Sequence, residues 1–214
     1  GSKYLNELYG VFESVEEIDI EKLPNQFVLK CTHGSGFNII CKNKNNLNWK
    51  KEKKKLKRWL KMDFYWYSRE WTYKDIEPKI ICEKYLKDKN NNPPNDYKVF
   101  CFDGEPKLIQ VDFHKFTTQK RNLYENESGW KFIDAKVEYP NNPGVDISEL
   151  KNFDKMLEFS KILSKNFPHV RVDFYNIDGE IIFGELTFFH GGGFRSSRPE
   201  RIKIKMGNWL KLPS

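Results

Sequence analysis

The segment His169–Phe194 sets two carboxylates, Asp173 and Glu185, inside runs of apolar residues, and no other stretch restricts the possible folds as tightly. Ile181, Ile182 and Phe183 precede Glu185, and Leu186, Phe188 and Phe189 follow it, so its strand reads as buried on both faces. An unpaired carboxylate in such a place costs several kcal/mol or takes up a proton, so a cation has to lie beside it. Asp178-Gly179 marks the turn of a hairpin with arms at about 169–176 and 180–188. Side chains alternate along each arm, so Asp173 and Glu185 share a face only if the loop holds an odd number of residues. A three-residue loop with Gly179 left-handed meets that condition, and a two-residue Asp-Gly turn does not. In the three-residue register Arg171, Asp173, Glu185 and Thr187 line one face. Two carboxylates and a hydroxyl are hard oxygen ligands of the kind that suit Mg²⁺, with waters and phosphate oxygens completing its shell. A salt bridge from Arg171 to one of the acids is the simpler alternative.

Arg171-x-Asp173-Phe174, a hairpin, then Gly184-Glu185-Leu186-Thr187, an aromatic pair and a glycine-rich run resemble the metal-binding end of the ATP-grasp superfamily. More narrowly, the chain from about Val11 to Leu212 is similar to the TupA-like ATP-grasp family, which is associated with teichuronopeptide and capsular polysaccharide biosynthesis. The likeness rests on five ordered segments: Leu23 to Gly36, Glu83 to Leu86, Asp96 to Gly104, Arg171 to Phe174, and Gly184 to Phe188. Any one of them alone is a weak signal; five in order are a strong one.

The segments also make chemical sense by themselves. Phe27–Thr32 and Phe37–Cys41 are short β-rich runs joined by His33-Gly34-Ser35-Gly36, a tip whose glycines let backbone N–H groups approach a phosphate. Lys30 stands at the end of the first arm, where its ammonium can reach the same anion. The tip lacks the Lys-Ser/Thr that completes a Walker A loop. The resemblance implies that this hairpin covers the triphosphate and that Lys30 meets the α- and β-phosphates. Ile80–Leu86 reads as a buried strand entering the Asn- and Pro-rich linker 87–96. The resemblance makes its end the hinge that holds adenine, through the backbone of Lys84, Tyr85 and Leu86 with Glu83 as the nearby acid. Pairing of Glu83 with Lys84 or Lys98 is the plain alternative. Asp96–Phe102 opens a second hairpin through Asp103-Gly104 into Lys107–Phe113, with Asp96 and Lys98 two apart and hence on one face. The resemblance implies that Lys98 reaches the γ-phosphate and that Asp96 positions it or touches substrate. His114 and the cationic stretch 115–121 read as a loop that could bind an acidic substrate or simply face solvent.

Composition bounds the rest. A chain of 214 residues, 38% hydrophobic and 15% aromatic, can build a substantial core. No run of about eighteen apolar residues occurs and no signal peptide opens the chain, which reads as soluble and cytoplasmic. Gly1-Ser2 reads as a remnant of cloning. Cys31, Cys41, Cys82 and Cys101 fall in predicted strands without a C-x-x-C spacing, as reduced buried thiols do. The net charge of +7 is local: residues 50–61 hold eight Lys or Arg and one acid, and the remainder holds 29 of each sign. Trp49, Leu56, Trp59, Leu60 and Met62 give this stretch the apolar stripe of a helix. Its cations could meet nucleic acid, an anionic membrane surface or an acidic polysaccharide, or merely face water; no nucleic-acid motif accompanies them. Further helices are expected near Ile147–Asn166 and Arg198–Leu212.

The resulting expectation is an α+β, ATP-grasp-like fold, with two lobes whose antiparallel sheets sandwich the nucleotide. The smaller lobe spans 3–88 and carries the glycine-rich hairpin and basic helix; the larger spans 95–214 and carries the metal site. The resemblance implies ATP and Mg²⁺, and a ligase that joins a carboxylate to an amine through an acyl phosphate. It suggests a uronic acid of a capsular or cell-wall polysaccharide as the carboxylate. Mg²⁺ falls to Asp173 and Glu185 with Thr187 in the third place, where many relatives have Asn, and Arg171 serves the acyl phosphate and oxyanion. The backbone of His190–Gly193 is a candidate cradle for the acceptor carboxylate. The chain starts close to the glycine-rich hairpin, so a preceding segment or a partner chain is expected to complete the acceptor site. An ATP-dependent phosphotransferase or sugar transferase, or a non-catalytic module gripping anionic polymer, are the competing readings.

Overall fold

The computed structural model describes residues 1–114, 118–135, 137–193 and 199–212. The chain divides into two compact units. The smaller comprises Asn6–Leu86 with Gly191–Gly193, and the larger comprises Gly1–Leu5, Lys87–His190 and the described part of 194–214.

The smaller unit is built on a four-stranded antiparallel sheet of β1 (Leu8–Phe12), β2 (Phe27–Cys31), β3 (Asn38–Cys41) and β4 (Ile80–Lys84), in the order β1-β4-β2-β3. Phe27, Leu29 and Cys31 alternate into its core opposite Ile80 and Cys82, which is why this run of β-branched and aromatic residues settles as strand. The basic segment forms α1 (Trp49–Leu60), begun by Asn48, whose side chain accepts a hydrogen bond from the Lys51 amide at 3.0 Å. Leu56 and Trp59 are buried and Trp49 and Leu60 half-buried against the core. Full burial of one such side chain is worth about 2 kcal/mol. Met62 lies past the helix end and stays at the surface, so it does not extend the stripe as its spacing suggests. A short α2 (Phe64–Ser68), capped by Asp63, anchors Phe64 edge-on to Phe37, which in turn stacks on Trp59.

The larger unit carries a six-stranded antiparallel sheet in the order β10-β9-β5-β6-β7-β8. Its strands are β5 (Asp96–Phe102), β6 (Glu105–Phe113), β7 (Lys120–Asn126), β8 (Trp130–Ile133), β9 (His169–Ile177) and β10 (Glu180–Thr187). Alternation sends Tyr97, Val99 and Cys101 to one face, into a core with Phe153 and Met156 of α3 (Phe153–Ser164). It sends Phe100, Leu108 and Leu123 to the other, beneath Ile202, Met206 and Trp209 of α4 (Glu200–Trp209). Asp96 and Lys98, which alternate with the buried tyrosine and valine along β5, point to that second face, Asp96 buried and Lys98 half-buried.

Two sequence expectations need correction. The helix expected from Ile147 begins at Phe153, because Ile147–Glu149 forms a single turn capped by Asp146. The cationic stretch after His114 is not one loop: Lys120 and Arg121 open β7, and Arg121 is buried between Asp112 and Glu138. Residues 115–117 of that stretch, and Arg198 at the start of the last expected helix, lie outside the described residues.

All four cysteines are free and buried in strands. Burial pushes the Cys31 thiol up to about 11 and those of Cys82 and Cys101 up to about 12. At pH 8 the folded protein is therefore expected to resist a thiol-specific disulfide reagent and to release all four thiols only in denaturant. Fast labelling of the native chain contradicts this.

Candidate active site

The hairpin that brings Asp173 and Glu185 together does so by a different device from the expected one. Ile177 pairs with Glu180, so the loop holds two residues, Asp178 and Gly179, both at positive φ (53° and 94°). Such a loop alone would put Asp173 and Glu185 on opposite faces. The parity is restored inside β10, where Phe183 pairs with Phe174 but Glu185 pairs with Asp173, leaving Gly184 as the extra residue of a bulge. A Cβ on residue 184 would stand 3.1 Å from the Asp173 carbonyl oxygen, so glycine lets the two strands stay close there. Asp173 and Glu185 end up as direct cross-strand partners, as Lys98 is of Asp173 on the next strand.

These pairings place Asp96, Lys98, Arg171, Asp173, Glu185 and Thr187 on one sheet face. Lys98 Nζ lies 2.7 Å from Asp173 Oδ2 and 3.0 Å from Asp96 Oδ2. Arg171 donates from Nε to Asp173 Oδ1 at 2.6 Å. Its Nη2 donates to Asp173 Oδ2 at 2.7 Å, to Glu185 Oε1 at 2.9 Å and to Thr187 Oγ1 at 3.0 Å. The Thr187 hydroxyl donates in turn to Glu185 Oε1 at 2.8 Å. The compensating charge that the sequence demanded is thus supplied by Lys98 and Arg171. Burial alone would depress the Lys98 ammonium, but the Asp173 and Asp96 carboxylates outweigh it and hold its pKa well above the ordinary lysine range. Burial likewise opposes the Arg171 charge, and Asp173 and Glu185 reverse the outcome. Both cations are permanent at any working pH.

Three carboxylates against two cations leave one negative charge in excess, and every ligand-capable atom is oxygen, which fits a hard divalent ion completed by phosphate oxygens. The side chain of Asp173 is only 4% exposed, as expected, whereas that of Glu185 is 57% exposed, against the expectation of a strand buried on both faces, because the end of β10 from Gly184 onward is only partly covered; it takes its hydrogen bonds on Oε1 alone among the described residues. Among the described residues, no group of three or more His, Cys, Asp or Glu is placed to hold a metal ion by itself.

Gln110 and Asp112 of β6 extend the same face, as cross-strand partners of Lys98 and Asp96. Gln110 donates to both Asp112 oxygens at 3.3 Å, and Asp112 is clamped by Arg121. Sequence reading passed over them, although polar residues two apart in Leu108–Phe113 give the same signal that picked out Asp173.

In the smaller unit Lys30 and Glu83, the candidate hinge acid, meet directly, Nζ to Oε2 at 2.6 Å; the alternative pairing of Glu83 with Lys84 or Lys98 is not the one formed. His33 turns inward, its Nε2 2.9 Å from the Trp59 carbonyl oxygen, and so braces the loop with its ring. Gly34 packs against Phe37, where a Cβ would overlap the ring, while Ser35 and Gly36 remain exposed at the tip. Lys84 gives its amide to the Glu7 carbonyl at 2.9 Å, and its own carbonyl accepts from Asn6 at 3.0 Å. Its backbone is thus spent on Asn6 and Glu7, just ahead of β1, and Tyr85 and Leu86 follow it with Tyr85 buried.

Two antiparallel sheets with few helices make an α+β fold of the ATP-grasp type. The chain belongs to the TupA-like ATP-grasp family, whose pattern matches residues 1–211. No curated protein matches it. Among solved structures it is similar to D-alanine–D-alanine ligase from Bacillus anthracis complexed with ATP, at 16% identity and TM-score 0.43, over 86% of this chain and 47% of that one. The same enzyme in another structure gives 16% identity and TM-score 0.48, over 96% of this chain and 57% of that one. The ATP-grasp ligase PsnB complexed with minimal precursor gives 10% identity and TM-score 0.44, over 95% of this chain and 55% of that one. The chain spans about half the length of these structures. Among the described residues no helix is long and apolar enough to cross a membrane.

Proposed function

We propose that this protein is an ATP-dependent carboxylate–amine ligase acting on a uronic acid of a capsular or cell-wall polysaccharide. The observation that carries the reading is the cross-strand cluster of Lys98, Asp173, Arg171 and Glu185 on one sheet face, in a chain of ATP-grasp family. Polysaccharide chemistry enters from the TupA-like membership alone. In the reaction a substrate carboxylate oxygen attacks the γ-phosphorus of ATP, the bond to the bridging oxygen breaks, and ADP leaves. An amine nitrogen then attacks the acyl carbon, the bond to phosphate oxygen breaks, and the nitrogen loses a proton.

Lys98 supplies a fixed ammonium to the transferring phosphoryl group, already oriented by Asp96 and Asp173. Arg171 spans Asp173 and Glu185 and stabilises charge on the acyl phosphate and on the tetrahedral oxyanion. Asp173 and Glu185, with Thr187 in the third place, would hold Mg²⁺, which would neutralise phosphate charge. Lys30, with Glu83 as its partner, and the backbone of His33, Gly34, Ser35 and Gly36 serve the other phosphates. Tyr85 and Leu86, following Lys84, serve the adenine.

The test is an ADP-release screen over uronic acids and amines, with mass detection of the product. ADP is expected only when a carboxylate acceptor is present, with an amide as product. Turnover on acceptors that carry hydroxyls alone rules out ligation in favour of phosphoryl or glycosyl transfer.

A further inference from the structure

The outward cations of α1 lie on a single arc. Lys50, Lys54, Lys57 and Lys61 recur at helical spacing, with Lys51 and Arg58 beside them, all exposed and opposite the buried Leu56 and Trp59. Lys57 also pairs with Glu16. Because the apolar side of the helix is used in its own core, α1 presents charge and nothing else. Apolar surface comes from the residues directly after it. Trp66, Tyr67 and Trp71 are 63%, 80% and 60% exposed, and Met62 and Ile76 join them at the surface. Tyr65 bridges the two tryptophans edge-on, with ring centres 5.3 Å from Trp66 and 5.9 Å from Trp71. Arg69 lies 4.5 Å from the Trp66 ring centre and Lys74 lies 4.4 Å from that of Trp71. A monomer seldom leaves so much contiguous aromatic surface in water unless something covers it.

We propose that the smaller unit docks on the surface of an anionic lipid bilayer, with the α1 cations facing acidic headgroups and the 62–76 aromatic cluster seated at the headgroup boundary. The kind of cation selects this partner. Seven of the eight basic residues in 50–61 are lysine, a mobile point charge suited to a diffuse negative surface, whereas forked recognition of individual carboxylates or phosphates favours arginine. The kind of apolar residue agrees, since tryptophan and tyrosine are the side chains of the boundary between water and hydrocarbon. Stable membrane attachment takes two signals, and a polybasic stripe beside an inserting cluster provides both. The remainder of the chain carries equal numbers of each charge, so the field that orients the protein comes from this face. None of this depends on the proposed reaction, and ADP release measured without vesicles tests that reaction separately.

Vesicle flotation of the full chain tests the docking. Binding is expected to vesicles containing about one-third phosphatidylglycerol and not to phosphatidylcholine alone, and to be lost in about 0.5 M sodium chloride. The triple variant Lys50→Gln/Lys54→Gln/Lys61→Gln should bind about a hundredfold more weakly, at roughly fivefold for each cation removed. Trp66→Ser/Trp71→Ser should also lose binding while melting like the parent. If either variant melts early, quenching of the parent protein's tryptophan fluorescence by brominated phosphatidylglycerol decides without substitution, and its absence overturns the docking. So does indifference of binding to lipid charge. Association with soluble polygalacturonate, or self-association through these residues while vesicles stay bare, assigns the face to a polymer or a second copy and likewise overturns it.

Discussion

Lys98→Met is expected to cost about 3–5 kcal/mol of stability and to abolish ADP release. Methionine keeps most of the side-chain volume, so the loss is electrostatic. Without the ammonium, Asp96, Asp173 and Glu185 share one guanidinium, and the first two are almost wholly buried. An uncompensated buried carboxylate is the costly species, so adding Asp173→Asn to Lys98→Met should recover part of the stability while activity stays absent. The pH dependence has a defined sign. The folded pKa of Lys98 is raised by Asp173 and Asp96 against the opposing effect of burial. Its stabilisation is therefore complete below the unfolded lysine value of about 10.4, and is lost as pH rises above that through the folded value. The stability gap between parent and variant should hold constant from pH 6 to about 9 and narrow only in stronger alkali. A denaturation midpoint that barely moves on substitution removes the cluster from the account of this fold.

Glu185→Gln should behave in the opposite way, with stability unchanged to within about 1 kcal/mol and ADP release lowered at least a hundredfold. Its side chain is more than half exposed, and glutamine keeps an acceptor oxygen for Arg171 and Thr187. What disappears is one negative charge at the open edge of the cluster, the charge that the proposed divalent ion would need beside Asp173. Urea melts alongside initial rates separate the outcomes. Turnover like that of the parent in Glu185→Gln excludes this carboxylate from the site.

The membership of one sheet face was legible because polar residues within apolar strands have few places to go. Asp96 and Lys98 stand two apart, as do Arg171 and Asp173, and period-two alternation sends each pair to one side of its strand. The cysteines and the apolar side of α1 were legible for the same reason. The turn was not. Asp178-Gly179 suits a two-residue loop well, and only the bulge at Gly184 reconciles that loop with the shared face of Asp173 and Glu185. A glycine inside a strand marks a bulge as readily as a weakness, and its meaning appears only when the opposite strand is in place.

By itself, then, the order of apolar and polar residues determined that Asp173 is buried within its strand and that a cation must accompany it, but not that Glu185 lies exposed or that Asp112 is buried beside the same face. Tertiary structure decided which cations these are. Lys98 becomes the partner of Asp173 only because β5 lies beside β9, and Lys30 meets Glu83 only because β2 lies beside β4. Alternation within a strand is a property of its own backbone, whereas the neighbour across the hydrogen-bond ladder is set by packing of the whole sheet.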